Sequence, residues 1–232
     1  GSGYLESLLR EQPALPASPL AWLNRLRADA VERAGALTVP SARDEEWRFT
    51  DISPLTKIPF QPASGTSTLN AAGIERFALP EAGARLVFVD GVFAPELSYN
   101  RTAAAVENLA SGAGRHAAAI EPHLGRHAGF ADNVFAALNT AFLRDGALIV
   151  VPRDVSVAAP VHLLFIATQA EAASYPRCLV LAQPGSAVTV IEDFVALQDA
   201  AYFTNAVSEI ALSDHASVSH VRVQRDNGAA FH

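Results

Sequence analysis

The chain has 232 residues, 50% of them apolar and 18% charged, with a formal net charge of -7. That composition can bury a real core in one large domain or two smaller ones, and it is too apolar for a disordered segment. Seventeen basic residues without a basic stripe argue against general nucleic-acid affinity, the single cysteine excludes an internal disulfide framework and fits a reducing, cytoplasmic compartment, and no apolar run approaches the ~20 residues of a membrane-crossing helix.

Gly1-Ser2-Gly3, with no methionine anywhere in the chain, reads as a remnant of cloning on an incomplete gene product. From Ser18, an N-cap followed by Pro19, the residues Leu20, Leu23, Leu26, Ala30 and Ala34 recur at helical spacing. They predict an amphipathic helix ending at Gly35, with Arg25, Arg27, Asp29 and Glu32 on its other faces. The stretch SARDEEWRFTDISPL, residues 41–55, predicts a second short helix capped by Ser41. Acids in its first turns suit the helix dipole, Trp47 and Phe49 fix it to the domain body, and Ser53-Pro54 ends it. A Pro/Ser/Thr/Gly linker is expected over 59–69, then a strand over Arg85–Val89 with an Asp90-Gly91 hairpin turn into Val92-Phe93. Ala103–Ala110 and Asn133–Phe142 read as helices, the second with Phe135, Leu138 and Phe142 along one side.

From Asp145-Gly146 onward the chain breaks into short β-branched runs, ALIVV, VHLLFIAT, CLVLA, AVTVIEDF, FTNAVSEIAL and SVSHVRVQ, separated by Pro, Gly, Ser, Asp and Asn turns. This part reads as all-β. The turn Gln183–Ala187 resembles Leu212–Ala216, 29 residues on, and Asp145-Gly146-Ala147 opens an earlier strand in a similar way. A stacked solenoid and a sandwich both accommodate that spacing. In Ser219–Gln224 the alternation places Val221 and Val223 inward and Arg222 and Gln224 outward.

No self-sufficient catalytic set emerges. His116, His123 and His127 have partial metal spacing, but Pro122 and Gly125 interrupt the helix that would align them, so solvated loop histidines are the better reading. Cys178, in an apolar strand, reads as a small buried hydrophobe. Glu192 and Asp193, taken as a strand end, and Asp214 with His215 in a turn read as polar corners facing water. Gly112-Ala113-Gly114-Arg115 lacks the Lys-Ser/Thr of a phosphate loop, and no Gly-x-Ser-x-Gly elbow is present. The residues therefore point to no catalytic, cofactor-binding or metal-binding position.

The order of RDEEWRFTD, residues 43–51, then NTAFLRDGALIVVPRDV, residues 139–155, with YFTN at 202–205 and SHVRVQ at 219–224, resembles the SufB/SufD family of iron–sulfur cluster assembly scaffold proteins. The short helical N-terminal region and the absence of a cysteine-rich segment place it nearer the SufD branch. The resemblance implies a mixed α and β architecture, a mainly helical N-terminal domain over 1–144 and the first coils of a right-handed parallel β-helix over 145–232. It also implies a non-catalytic scaffold subunit of a SufBCD complex, partnered by a SufB-like protein and a SufC-like ATPase. A cluster would be held only transiently in the whole complex, and the protein would reside in the cytoplasm, or in a plastid if its source is a photosynthetic eukaryote. The family's SufC-binding helices and its Cys/His cluster positions have no counterpart before His232, so no ligand is carried over and the chain reads as truncated, with self-association of its last coil an expectation. A β-helix polysaccharide lyase or a hexapeptide acyltransferase fits less well: the charges are scattered and a six-residue repeat is absent.

Overall fold

A computed structural model describes residues 2–63 and 68–232. The helices are α1 (Ser2–Leu9), α2 (Ala21–Ala36), α3 (Ala71–Ile74), α4 (Leu109–Arg115), α5 (Ala117–Ile120) and α6 (Val134–Ala141). The strands are β1 (Gln61–Pro62), β2 (Ala84–Val89), β3 (Val92–Phe93), β4 (Tyr99–Asn100), β5 (Ala105–Asn108), β6 (Ala147–Val151), β7 (Val161–Ala167), β8 (Ala172–Ser174), β9 (Arg177–Ala182), β10 (Ala187–Ala196), β11 (Tyr202–Thr204), β12 (Val207–Leu212), β13 (Ser217–Arg225) and β14 (Ala230–Phe231).

Three sheets result, ordered β1-β8-β11-β14, β13-β10-β7-β2-β3 with β4 also on β2, and β12-β9-β6-β5. From β6 the chain visits the three sheets in the same rotation three times. Strands reached on successive visits pair in parallel: Val161 lies opposite Val190, Ala187 opposite Ser217, and Arg177 opposite Val207. Among the described residues, the antiparallel pairings are β2–β3, β2–β4 and β5–β6. The β2–β7 and β5–β6 pairings join residues from either side of position 144.

The inner strands β6, β7 and β9 are covered on both faces, which is why they read as unbroken apolar runs, whereas β12 and β13 at the sheet ends are partly or largely exposed. Alternate residues, among them Leu86 and Phe88 of β2, Ile149 of β6, Leu163 and Phe165 of β7 and Val190 of β10, meet in one central core. The intervening residues pack outward. Leu148 and Leu179 meet Leu23 and Leu26 of α2 with Leu109 of α4, and Val87 and Leu164 meet Ile74 and Phe77. Ala173 and Phe203 meet α1, α2 and α6. Phe88, Phe165 and Phe194 stack from strand to strand at centroid distances of 5.3 and 5.0 Å.

Several expectations hold. The hairpin forms, with Asp90 at φ 50° and Gly91 at φ 79°, and α6 starts at its Asn133 cap, whose side chain accepts from the Phe135 and Ala136 amides. Others need correction. Helix α2 begins after Leu20 and runs through Gly35 to Ala36, with Ser18 Oγ bonding the Leu20 amide one step before the helix. Arg27, expected away from the apolar face, is buried with it and donates to the carbonyls of Leu143 and Pro16.

Ala103–Ala110 is not a helix, because Ala105–Asn108 is recruited as a strand by β6 and α4 starts only at Leu109. The expected helix after Ser41 reduces to one 3₁₀ turn over Glu45–Trp47. Local side-chain bonds compete there: Asp44 takes the Ser41 amide and Asp51 the Ser53 amide. The turn that recurs is Pro184-Gly185 with Asp214 and Asp154, linked by Asp154 N–H to Pro184 O and Gly185 N–H to Asp214 O. Asp154, Gly185 and His215 all have φ between 59° and 72°, so the equivalent early turn follows β6 and is not Asp145-Gly146. Of the linker expected over 59–69, Gln61–Pro62 is a strand, and residues 64–67 lie outside the described residues.

Candidate functional site

In β10 the period-two pattern that sends Val188, Val190 and Phe194 into the central core sends Glu192 there too. A carboxylate in such a place needs partners. Glu192 accepts from Ser208 Oγ at 2.5 Å, from His220 Nε2 at 2.9 Å and from Arg222 Nε and Nη2 at 3.3 and 3.2 Å. The Arg222 guanidinium also lies over the Phe194 ring, 5.6 Å from its centroid. Burial pushes the Glu192 carboxyl up, but the His220 and Ser208 hydrogen bonds and the Arg222 charge outweigh it, leaving the group below the ordinary glutamate value. The set runs from a buried carboxylate to half-exposed His220 and Arg222, and Arg222 lines a cleft of about 550 Å³ together with Asn205, Phe203, Phe135 and Trp47.

On the opposite face of β10, Asp193 meets His162 Nε2 at 3.0 Å and Arg225 at 3.2 Å. A third set fastens the helices to the β12-β9-β6-β5 sheet. Glu209 accepts from Arg177 and from the amides of Gly125, His127 and Ala128, while Arg177 also donates to Asn139 and Thr140. Asn139 in turn donates to the carbonyls of Pro176 and Asn205. Burial raises the Glu209 carboxyl, yet the Arg177 charge and the Gly125 amide bring it below its ordinary value.

Glu192 and Asp193 are thus neither at a strand end nor facing water: both are mid-strand and 1% exposed. The inward and outward assignment in β13 is reversed as well, because His220 and Arg222 point to the Glu192 side and Val221 is 47% exposed. Asp214 and His215 do form an exposed turn. His123 Nδ1 and His127 Nε2 are 2.8 Å apart with stacked rings, and His116 pairs with Glu107 at 3.0 Å. Among the described residues, no group of three or more His, Cys, Asp or Glu is placed to hold a metal ion.

Cys178 is buried in the central core, where burial and the Glu192 charge push its thiol well above the usual range. Ser208 directs its hydroxyl to Glu192 rather than to a histidine. Gly112 lets α4 press on the sheet, since a Cβ there would sit 2.6 Å from Leu148 Cδ2. Trp47 packs on Phe135 at 5.6 Å, but Phe49 is 90% exposed and anchors nothing. Sequence reasoning assigned no role to Arg177, Glu209 or His162. The available signal was a charged or imidazole side chain inside an apolar run.

The fold and these buried charges describe a mixed α/β protein whose polar interior ties strands and helices together. The description "SufBD protein N-terminal region" matches residues 2–163, and "SUF system FeS cluster assembly, SufBD core domain" matches residues 165–232. The chain belongs to the SufB/SufD family. It is 36% identical over 238 residues to an iron–sulfur cluster assembly SufBD family protein of Synechocystis, covering 97% of this chain and 52% of that protein. It is 28% identical to the iron–sulfur cluster assembly protein SufD of Escherichia coli (84% of this chain, 44% of that one). With "Protein ABCI7, chloroplastic" of Arabidopsis thaliana the identity is 26% (98% and 49%). The chain spans about half the length of these relatives. Among the described residues no helix is long and apolar enough to cross a membrane.

Proposed function

We propose that the chain is part of a SufD-type, non-catalytic scaffold subunit for iron–sulfur cluster assembly. In the longer protein this subunit pairs with a SufB-like partner and binds a SufC-like ATPase. The observation that carries the reading is the succession of both family regions across 2–163 and 165–232, supported by relatives named SufD in Escherichia coli and Bacillus subtilis that match 84% and 86% of the chain. In this reading the three sheets are the faces of a right-handed parallel β-helix whose first coils run over 145–232, with the mainly helical part over 1–144 packed on it and adding β1, β2 and β5 to its sheets. The repeated rotation of the chain through three sheets, with successive strands pairing in parallel from β6 onward, supports that arrangement. The subunit holds no cofactor of its own in this region, meets a cluster only transiently in the whole complex, and works in the cytoplasm or a plastid.

The test uses purified components. The 232-residue chain alone should neither raise the ATPase rate of a SufC-type protein nor retain iron and sulfide after reconstitution, whereas a subunit carrying the remaining half should co-purify with SufB- and SufC-type partners. ATPase stimulation by the chain alone, or failure of the longer subunit to co-purify, overturns the reading.

A further inference from the structure

The segment 44–51 forms a ridge between two clefts. On one side a cleft of about 410 Å³ has Trp47, Pro40 and Phe135 in its walls, and the carboxylates of Asp44, Glu45, Glu46 and Asp132 line it without a lysine or arginine. On the other side lies the 550 Å³ cleft, which shares Trp47 and Phe135. In the same segment, Phe49 lines neither cleft and is 90% exposed, with the Arg48 guanidinium 4.7 Å from its ring centroid.

A large apolar side chain left this open has no folding role, because it removes almost no surface from water. The acids are weakly engaged. Among the described residues the Asp44 side chain accepts from Ser41, and Asp132 meets Arg33 at 3.4 Å with both side chains exposed. Both volumes fall in the ~300–1,000 Å³ range of ligand clefts. Arginine is the side chain that matches such walls: its planar guanidinium stacks on indole and takes carboxylates two at a time, whereas a lysine ammonium does neither as well.

We propose that this ridge is a docking surface for an arginine-bearing segment of a partner protein, with a guanidinium seated against Trp47 among Glu45, Glu46 and Asp132 and an apolar partner residue on Phe49. The charge of the cleft commits it to a basic protein segment and disfavours nucleic acid, whose phosphates these carboxylates repel.

The probe is a capped ten-residue peptide of alternating arginine and leucine, titrated calorimetrically into the 232-residue chain beside its lysine and glutamate counterparts. The arginine peptide should bind at least threefold tighter than the lysine peptide, and the glutamate peptide should not bind. Glu45→Lys with Glu46→Lys should weaken the arginine peptide tenfold or more, and Phe49→Ala at least threefold, with unchanged thermal midpoints because these side chains are exposed. The exposed pair Glu81→Lys with Glu96→Lys changes net charge equally and should leave affinity within twofold. Equal loss in that control, no effect of the Glu45/Glu46 pair, or no arginine-peptide binding overturns the proposal. The last result would mean that the ridge is instead a surface for other parts of a longer chain.

Discussion

Arg177 and Glu209 are both fully shielded from solvent, so each is tolerable only because the other is there, and the amides of Gly125, His127 and Ala128 complete the shell. Arg177→Ala should cost about 3–5 kcal/mol, since it leaves a buried carboxylate unpaired. Urea unfolding of the variant checks this, and a loss below about 1 kcal/mol would mean that water reaches the site. Glu209 and Glu192 also set a pH response. Both folded-state carboxyls lie below the ordinary value, so the stability they supply is complete above the unfolded pKa of about 4.3 and is lost as pH falls through the lower folded values. The urea midpoint should therefore change little from these two groups between pH 7 and about 5 and drop below about pH 4, with a smaller drop in Glu209→Gln. A midpoint that rises on acidification contradicts the assignment.

At the scale of elements, α6 depends on its start. It is only eight residues long and is buried on nearly every side, so packing supplies its stability while Asn133 satisfies two otherwise unpaired amides at 3.0 Å. Asn133→Ala should cost roughly 0.5–2 kcal/mol in a urea titration. Gly146 is an equally local constraint on the entry to β6, because a Cβ there would lie 2.5 Å from the Arg177 carbonyl oxygen. A methyl group cannot displace that backbone without moving β9, so Gly146→Ala should lower the thermal midpoint more than Gly114→Ala, where nothing lies within 4 Å. The α6 cap was readable in advance because an N-cap is a local interaction between neighbours. The β5 strand was not, because only its partner β6, some forty residues later, makes Ala105–Asn108 extended.

Across the whole molecule, the sheets do not respect a division near residue 144. Strands β2 and β5 pair with β7 and β6, and the central core draws side chains from both parts. Unfolding should accordingly be one cooperative event. The fluorescence of Trp22 and Trp47, both in the first part, and far-ultraviolet circular dichroism should give the same urea midpoint. Two separated transitions would show that the parts fold independently.

The sequence alone determined the elements whose causes are local: the Asp90-Gly91 hairpin, the α2 periodicity, the Asn133 cap and the short-strand character after residue 145. Two ordered motifs, RDEEWRFTD and NTAFLRDGALIVVPRDV, were also enough to point to the family. Only the tertiary structure decided which face of each strand is interior. Covering both faces erases the apolar–polar alternation from which that face is normally read. For the same reason Glu192 looked like a water-facing group in the sequence. Its burial depends on Ser208, His220 and Arg222 being brought alongside by strands that are neighbours only in the folded sheets.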